Sequence, residues 1–150
     1  MKKYIFGIIL NLLIIFIFLG NQGYCKQQTP EQLVRDFYAW HFEKIREDKP
    51  YEQKPAIYAY VTKETIEYID GDKYSTTDYF TKIGMYSYAW RNVKVKTGQV
   101  IAMSNDMFVV PVTFKIKDGN YQEDFFVVAF VKKENGSFYI TKVVDIYPYF

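Results

Sequence analysis

His41, the single histidine of this 150-residue chain, is the side chain best suited to exchange a proton near neutral pH. It lies in an apolar helical stripe that begins at Leu33, which a cone-shaped fold would turn toward its interior. A pocket histidine acts as a general acid or base when a carboxylate such as Asp36, Asp124 or Asp145 lies beside it. Because no second catalytic residue has a fixed spacing to His41, the sequence favours a partly buried histidine held by one hydrogen bond. His41 and Asp36 are the catalytic candidates that remain.

Metal and cofactor sites have little support in the sequence. A single histidine leaves mainly carboxylates as ligands, and Asp70, Asp72 and Asp78 lack the alternating pattern of a calcium loop closed by a glutamate. Gly71 between two aspartates is more typical of a helix end. The sequence contains no glycine-rich phosphate loop, no Gly-x-Ser-x-Gly elbow and no His-Glu-x-x-His helix. We therefore expect no bound metal and no cofactor, and we favour a protein without enzymatic activity.

Aromatic side chains offer a different chemistry, that of binding. Phe, Trp and Tyr make up 20% of the chain, more than one core needs, so we expect most of them in the core and a minority at the surface. Tyrosine is suited to interfaces because it buries apolar area and keeps one hydrogen-bonding end. Two aromatic segments lack clean core periodicity, and they supply the predicted binding residues: Tyr86, Tyr88, Trp90, Tyr147 and Tyr149.

Residues 1–25 read as a secretory signal peptide, which predicts a periplasmic or secreted protein. Two lysines precede an apolar run that ends at Leu19, somewhat short of the roughly 20 residues of a spanning helix. The bulky Tyr24 before Cys25 disfavours lipidation of the cysteine, although an anchored lipoprotein stays the alternative. We expect cleavage before Lys26, which would leave a domain without any thiol.

The remaining residues, 26–150, are expected to form one domain with a single core. Without the two signal lysines the chain has 17 basic and 17 acidic residues, so its net charge is zero. A balanced charge argues against binding to nucleic acid or to anionic lipid, both of which need clustered basic residues. The partner we expect is another envelope or secreted protein. The oligomeric state stays open.

The first half of this domain has helical patterns. Thr29 is a capping residue before a proline, and it predicts a helix that runs to about Asp48. Residues 55–70 fit two short helical segments, the second capped by Thr62. A further short helix is predicted over 78–82, capped by Thr76 or Thr77.

The second half changes to the alternation of β-strands. Asp118-Gly119-Asn120 and Asn135-Gly136 suit tight hairpin turns between apolar alternating runs, and with 92–103 they predict a four-stranded antiparallel meander. Pro111 would remove a ladder donor, so we expect a bulge or a locally free edge there. The whole is an α+β fold with the long helix across a strongly bent sheet, in which a nuclear-transport-factor-like or cystatin-like cone is one form.

The chain also resembles a bacterial envelope family typified by YbjP and YqhG, known as domain of unknown function 3828. The motifs that carry the resemblance follow in order over most of the domain: Leu33–Trp40, Tyr60–Glu64, Asp78–Phe80 before Trp90, and Val109–Thr113. The resemblance implies an exported α+β domain, often a lipoprotein, without established chemistry. This chain departs from the family in lacking a good lipobox.

Three functions are compatible with these features. The first is a non-enzymatic protein-binding module, either an accessory of an envelope complex or an immunity protein against an exported toxin. The alternative is a cone-fold pocket protein that binds or transforms a small ligand with His41, which requires a cavity of roughly 300 Å³ or more. A structural envelope protein without a discrete ligand is the third.

Overall fold

The structure is a computed structural model and describes residues 28–47, 54–72, 75–84 and 88–146. The predicted signal segment, with Cys25, lies outside these residues. Helices precede strands, so the predicted α+β class is confirmed. The elements are α1 (Pro30–Arg46), α2 (Lys54–Ile57), α3 (Lys63–Gly71), a 3-10 helix (Tyr88–Asn92), β1 (Lys94–Thr97), β2 (Ile101–Ala102), β3 (Met107–Asp118), β4 (Tyr121–Glu134) and β5 (Ser137–Asp145).

Helix α1 begins as the sequence predicts. The Thr29 hydroxyl accepts a hydrogen bond from the Gln32 backbone N–H at 3.1 Å, and Pro30 occupies the first turn, where no N–H is needed. The helix ends at Arg46. One face of α1 is buried along its whole length, and it consists of Leu33, Val34, Phe37, Tyr38, His41 and Phe42.

The segments after α1 are shorter than a helical bundle needs. Thr62 is the N-cap residue of α3, as predicted, but its hydroxyl lies 2.9 Å from the Thr65 hydroxyl and does not cap the backbone.

The predicted helix over 78–82 is wrong. There the Asp78 carboxylate accepts hydrogen bonds from the Phe80 and Thr81 backbone N–H groups, which closes a turn, and Lys82 has a positive φ of 59°.

The sheet is antiparallel and open, with β3 and β4 as its long central hairpin. Its strand order is β1-β3-β4-β5, and β2 pairs with β3 beside β1. Both predicted hairpin turns are confirmed: Gly119 has a φ of 58°, and Asn135 and Gly136 have φ values of 50° and 85°. The chain thus forms the predicted meander.

The predicted edge strand over 92–103 is two strands, which makes five in all. Thr97 pairs with Val112 and Ile101 with Val109, so the edge contains one more residue than β3 between these pairs. This bulge lies opposite Pro111, whose carbonyl accepts a hydrogen bond from the Gly98 N–H at 2.8 Å. The expected irregularity at Pro111 is therefore confirmed, because its missing donor faces a break in the ladder.

The core lies between α1 and one face of the sheet, which we call the inner face. Strand β3 contributes Val110, Val112, Phe114 and Ile116, all at most 2% exposed. Their cross-strand neighbours on β4 and β5 complete the layer, which consists of Val127, Ala129, Val131, Ile140 and Val143. Helix α1 contacts β1, β3 and β5, so it crosses the sheet as predicted.

Candidate functional site

His41 has a carboxylate partner, Asp78, which was not among the partners that the sequence suggested. The His41 Nε2 and Asp78 Oδ2 atoms are 3.3 Å apart, and both side chains are at least 95% buried. The three sequence candidates lie elsewhere: Asp36 accepts a hydrogen bond from Gln32 at 2.6 Å, Asp124 pairs with Lys115, and Asp145 lines a cavity beside β5. The structure thus joins α1 to the turn at 78–81.

The Asp78 carboxylate is held in its ionised form. Burial raises the pKa of Asp78, but the neighbouring His41 and the hydrogen bonds from Thr81 outweigh burial and lower that pKa to about 2. The same turn is fixed by the Tyr38 hydroxyl, which donates to the Phe80 carbonyl at 2.7 Å. Two buried polar contacts, His41 to Asp78 and Tyr38 to Phe80, therefore hold this turn against α1.

The ring of His41 is enclosed by aromatic side chains. It stacks on Phe37 and meets the edge of Phe80, with centroid distances of 5.5 Å in both cases, and only 3% of the residue is exposed. A general acid or base needs to reach its substrate, and this ring has no open approach. The geometry supports a structural role for His41.

A cavity of about 410 Å³ nevertheless lies next to this pair, between α1, α3 and the turn. Its lining includes Trp40, Asp70 and Asp78. A second, more open cavity of about 550 Å³ adjoins β5, and the two share Tyr79 and Lys82. The Lys82 ammonium lies 3.9 Å from the centre of the Tyr79 ring. The volume is sufficient for a small ligand.

The predicted aromatic binding residues do not form a described surface. Trp90 differs from expectation, because it is 5% exposed and stacks on Phe42 in the core at 5.8 Å. Tyr88 begins the 3-10 helix. Tyr86, Tyr147 and Tyr149 lie outside the described residues.

The described surface instead has an apolar patch that the sequence reading missed, on the outer face of the sheet, opposite α1. Side chains alternate between faces along a strand, so the neighbours of the buried residues of β4 point outward. Phe126 is 49% exposed there, and Ile146 and Ile101 are 51% and 56% exposed. Val128 and Phe130 lie between them on β4, where Val128 is only 9% exposed and Phe130 is half-buried.

The sequence did contain a signal for this patch. Residues 125–131 of β4 read Phe-Phe-Val-Val-Ala-Phe-Val, apolar at both parities. A strand that is apolar on both faces is typical of a sheet covered on both sides. In the part of the chain that the structure describes, helical cover lies on the inner face alone.

The described residues were also compared with the requirements of a metal site and of a membrane-spanning helix. They contain no group of three or more His, Cys, Asp or Glu side chains that could hold a metal ion. None of their helices is both long enough and apolar enough to cross a membrane.

Comparison with known proteins relates the fold to one assembly. No family model and no curated protein matches the chain, so the resemblance to the YbjP and YqhG family stays a prediction. A chain in the crystal structure of the type VI native effector–immunity complex Tae3–Tai3 from Ralstonia pickettii is similar. The match has 24% identity and a TM-score of 0.63, and it covers 82% of this chain and 99% of that chain. The chain thus shares its fold with a component of an effector–immunity pair.

Proposed function

We propose that this chain is an exported protein-binding module of the immunity type, which neutralises a secreted effector by docking on it. The observation that carries the proposal is the exposed apolar outer face around Phe126, on a fold similar to a chain of an effector–immunity complex. Exposed apolar patches on monomeric proteins commonly mark interaction sites. Large aromatic side chains such as phenylalanine supply much of the energy of interface cores.

The export of the chain, with cleavage before Lys26, is part of this proposal. An immunity protein must meet its effector where the effector acts, and the signal-like residues 1–25 would deliver the domain to the envelope. The intact mass of the mature protein tests this step. A lipid attached at Cys25 would place the domain on the membrane surface instead.

Protection from toxicity is the test of the proposed function. Secreted proteins encoded beside this gene would be produced in the envelope of a host bacterium, with and without this domain. We expect one of them to slow growth and this domain to restore it and to co-elute with the toxin in gel filtration.

A matched pair of variants identifies the surface. Phe126→Asp should abolish rescue, and Tyr68→Asp on α3, whose parent side chain is 66% exposed, should leave it intact. Failure of the domain to bind or protect against any such protein would contradict the proposal. Equal loss in both variants would remove the outer face from it.

The small-ligand alternative rests on the 410 Å³ cavity beside Asp78. It predicts that a ligand bound there raises the melting temperature of the protein, since binding to the folded state alone stabilises it. A screen of small apolar acids and amines by thermal shift, repeated with Trp40→Ala, tests it. Ligands that stabilise both proteins equally would exclude this cavity as the site.

A further inference from the structure

We propose that the outer face recognises an acidic protein surface with an apolar area at its centre. This inference rests on the proposed function and names the chemistry of the partner. The register of the strands fixes how apolar and charged side chains are arranged on this face.

The centre of the outer face is a continuous apolar patch across four strands. Ile101 of β2 lies opposite Val109 of β3, which lies opposite Phe130 of β4. In the next row Val128 lies opposite Val144 of β5. A third row places Phe126 opposite Ile146, whose N–H donates to the Phe126 carbonyl at 3.3 Å. These rows together form one apolar area on the outer face.

One end of this patch is basic. Lys94 of β1 lies directly opposite Lys115 of β3, and Lys96 and Lys117 lie on the same face. Like charges on directly opposed strand residues destabilise a sheet. On β4, Asp124 lies opposite Lys115 and pairs with it, and the neutral Gln122 lies opposite Lys117. The fold therefore tolerates an unfavourable concentration of positive charge beside the apolar patch.

The described outer face as a whole has more cations than anions. Strands β4 and β5 add Lys132 and Lys142. Glu134 bonds to Lys132 at 2.6 Å and raises its pKa, and Asp106 and Glu64 lie near enough to raise that pKa further. Helix α3, which lies beside the edge strand β5 and bonds to it through the Thr65 hydroxyl, has the opposite balance, with one lysine against Glu64, Glu67 and Asp70. The excess of lysines is therefore greatest at the end of the face formed by β1 and β3, away from α3.

This distribution of charge selects one occupant for the face. A second copy of the chain would bring the same excess of lysines to the contact, because a symmetric interface uses the same patch twice. A partner with carboxylates around an apolar centre would meet complementary charge and apolar area. We therefore assign the face to a different, acidic protein.

Synthetic peptides test the chemistry without the physiological partner. Three fluorescein-labelled 12-residue peptides share two Trp and two Leu residues. The other eight positions are Asp and Glu in the acidic peptide, Lys in the lysine peptide and Ser in the serine peptide. We expect the acidic peptide to bind about tenfold more tightly than the serine peptide, as measured by fluorescence anisotropy. The affinity of the acidic peptide should fall about tenfold when NaCl is raised from about 50 to about 300 mM.

Matched variants locate the binding. The double variant Lys94→Glu and Lys96→Glu should reverse the preference toward the lysine peptide. Lys63→Glu on α3, where the lysine side chain is 73% exposed, should leave it unchanged. Chemical shifts of the ¹⁵N-labelled domain should change along β3, β4 and β5.

Several outcomes would overturn the inference: no binding of the acidic peptide at 1 mM, equal binding of all three peptides, or shifts confined to the helices. A chain shortened after Ile146 that binds the acidic peptide far more tightly would assign the face to the chain's own end. Success with peptides and failure of the growth-rescue test would keep this inference and refute the proposed function.

Discussion

Replacement of Asp78 by Asn removes the one charge that this fold holds against His41 with almost no solvent access. The Asp78 pKa lies at about 2 in the folded protein, against an ordinary value of 3.8. A carboxyl whose folded pKa is lowered stabilises the fold above its unfolded pKa, and that stability is lost as the pH falls through the folded pKa. The shift corresponds to about 2 kcal/mol of unfolding free energy at neutral pH.

The protein should lose most of the stability that Asp78 contributes over a limited range of acidic pH. Linkage predicts that the contribution of Asp78 falls by about 1 kcal/mol between pH 5 and pH 3, and by about 1 kcal/mol more between pH 3 and pH 2. Urea unfolding at several pH values, followed by tryptophan fluorescence, measures this decline in the parent protein. The Asp78→Asn variant should be less stable at pH 6, and the difference should shrink toward pH 2.

Two substitutions of Thr81, to Ser and to Val, provide a control for the hydrogen bonds to Asp78. Thr81 donates its backbone N–H and its hydroxyl to Oδ1 at 2.8 and 3.0 Å. Thr81→Ser keeps the hydroxyl and should retain the pH dependence, whereas Thr81→Val removes it and should show a smaller one. A stability difference between the parent and Asp78→Asn that stays constant from pH 6 to pH 2 would refute the lowered pKa of Asp78.

Three further predictions concern stability, each measured by urea unfolding. Phe114→Ala should cost about 3–5 kcal/mol, and Phe126→Ala less than about 1 kcal/mol, because Phe114 is fully buried and Phe126 is half exposed; similar costs would mean that Phe126 belongs to the core. Tyr38→Phe should cost about 1–2 kcal/mol, since it leaves the Phe80 carbonyl without its donor, and an unchanged midpoint would contradict that hydrogen bond. Gly136→Ala should cost about 1 kcal/mol at its φ of 85°, whereas Gly71→Ala, with open space around it, should be neutral or slightly stabilising; the reverse order would refute the assigned turn.

Local signals in the sequence were sufficient for most of the fold. The Thr29-Pro30 start of α1 and the Asn135-Gly136 hairpin each depend on the conformations that a few adjacent residues permit. The irregularity at Pro111 was also predictable, because a missing N–H constrains a strand wherever it lies. The false helix over 78–82 has a local cause as well, since the Asp78 side chain competes for the same N–H groups that a helix would use.

The site was less predictable, because it depends on contacts between distant segments. His41 and Asp78 are 37 positions apart, and no spacing rule connects a helix to a turn across two short helices. Trp90 was assigned to the surface because its segment lacks periodicity, yet a 3-10 helix places it against Phe42. In β4 both the odd-numbered and the even-numbered residues are apolar, so the sequence does not show which set faces the core. The position of α1 decides this.

The outer face is difficult to explain by stability alone. Its large aromatic residue, Phe126, gains little from folding while half exposed, and a polar residue there would lower the risk of aggregation. The opposed Lys94 and Lys115 add repulsion that one serine would remove. Both features oppose solubility or stability in the isolated domain, and both become favourable when an acidic surface with an apolar centre covers the sheet. Their occurrence side by side on the same face, opposite α1, is therefore better explained by a partner than by the fold.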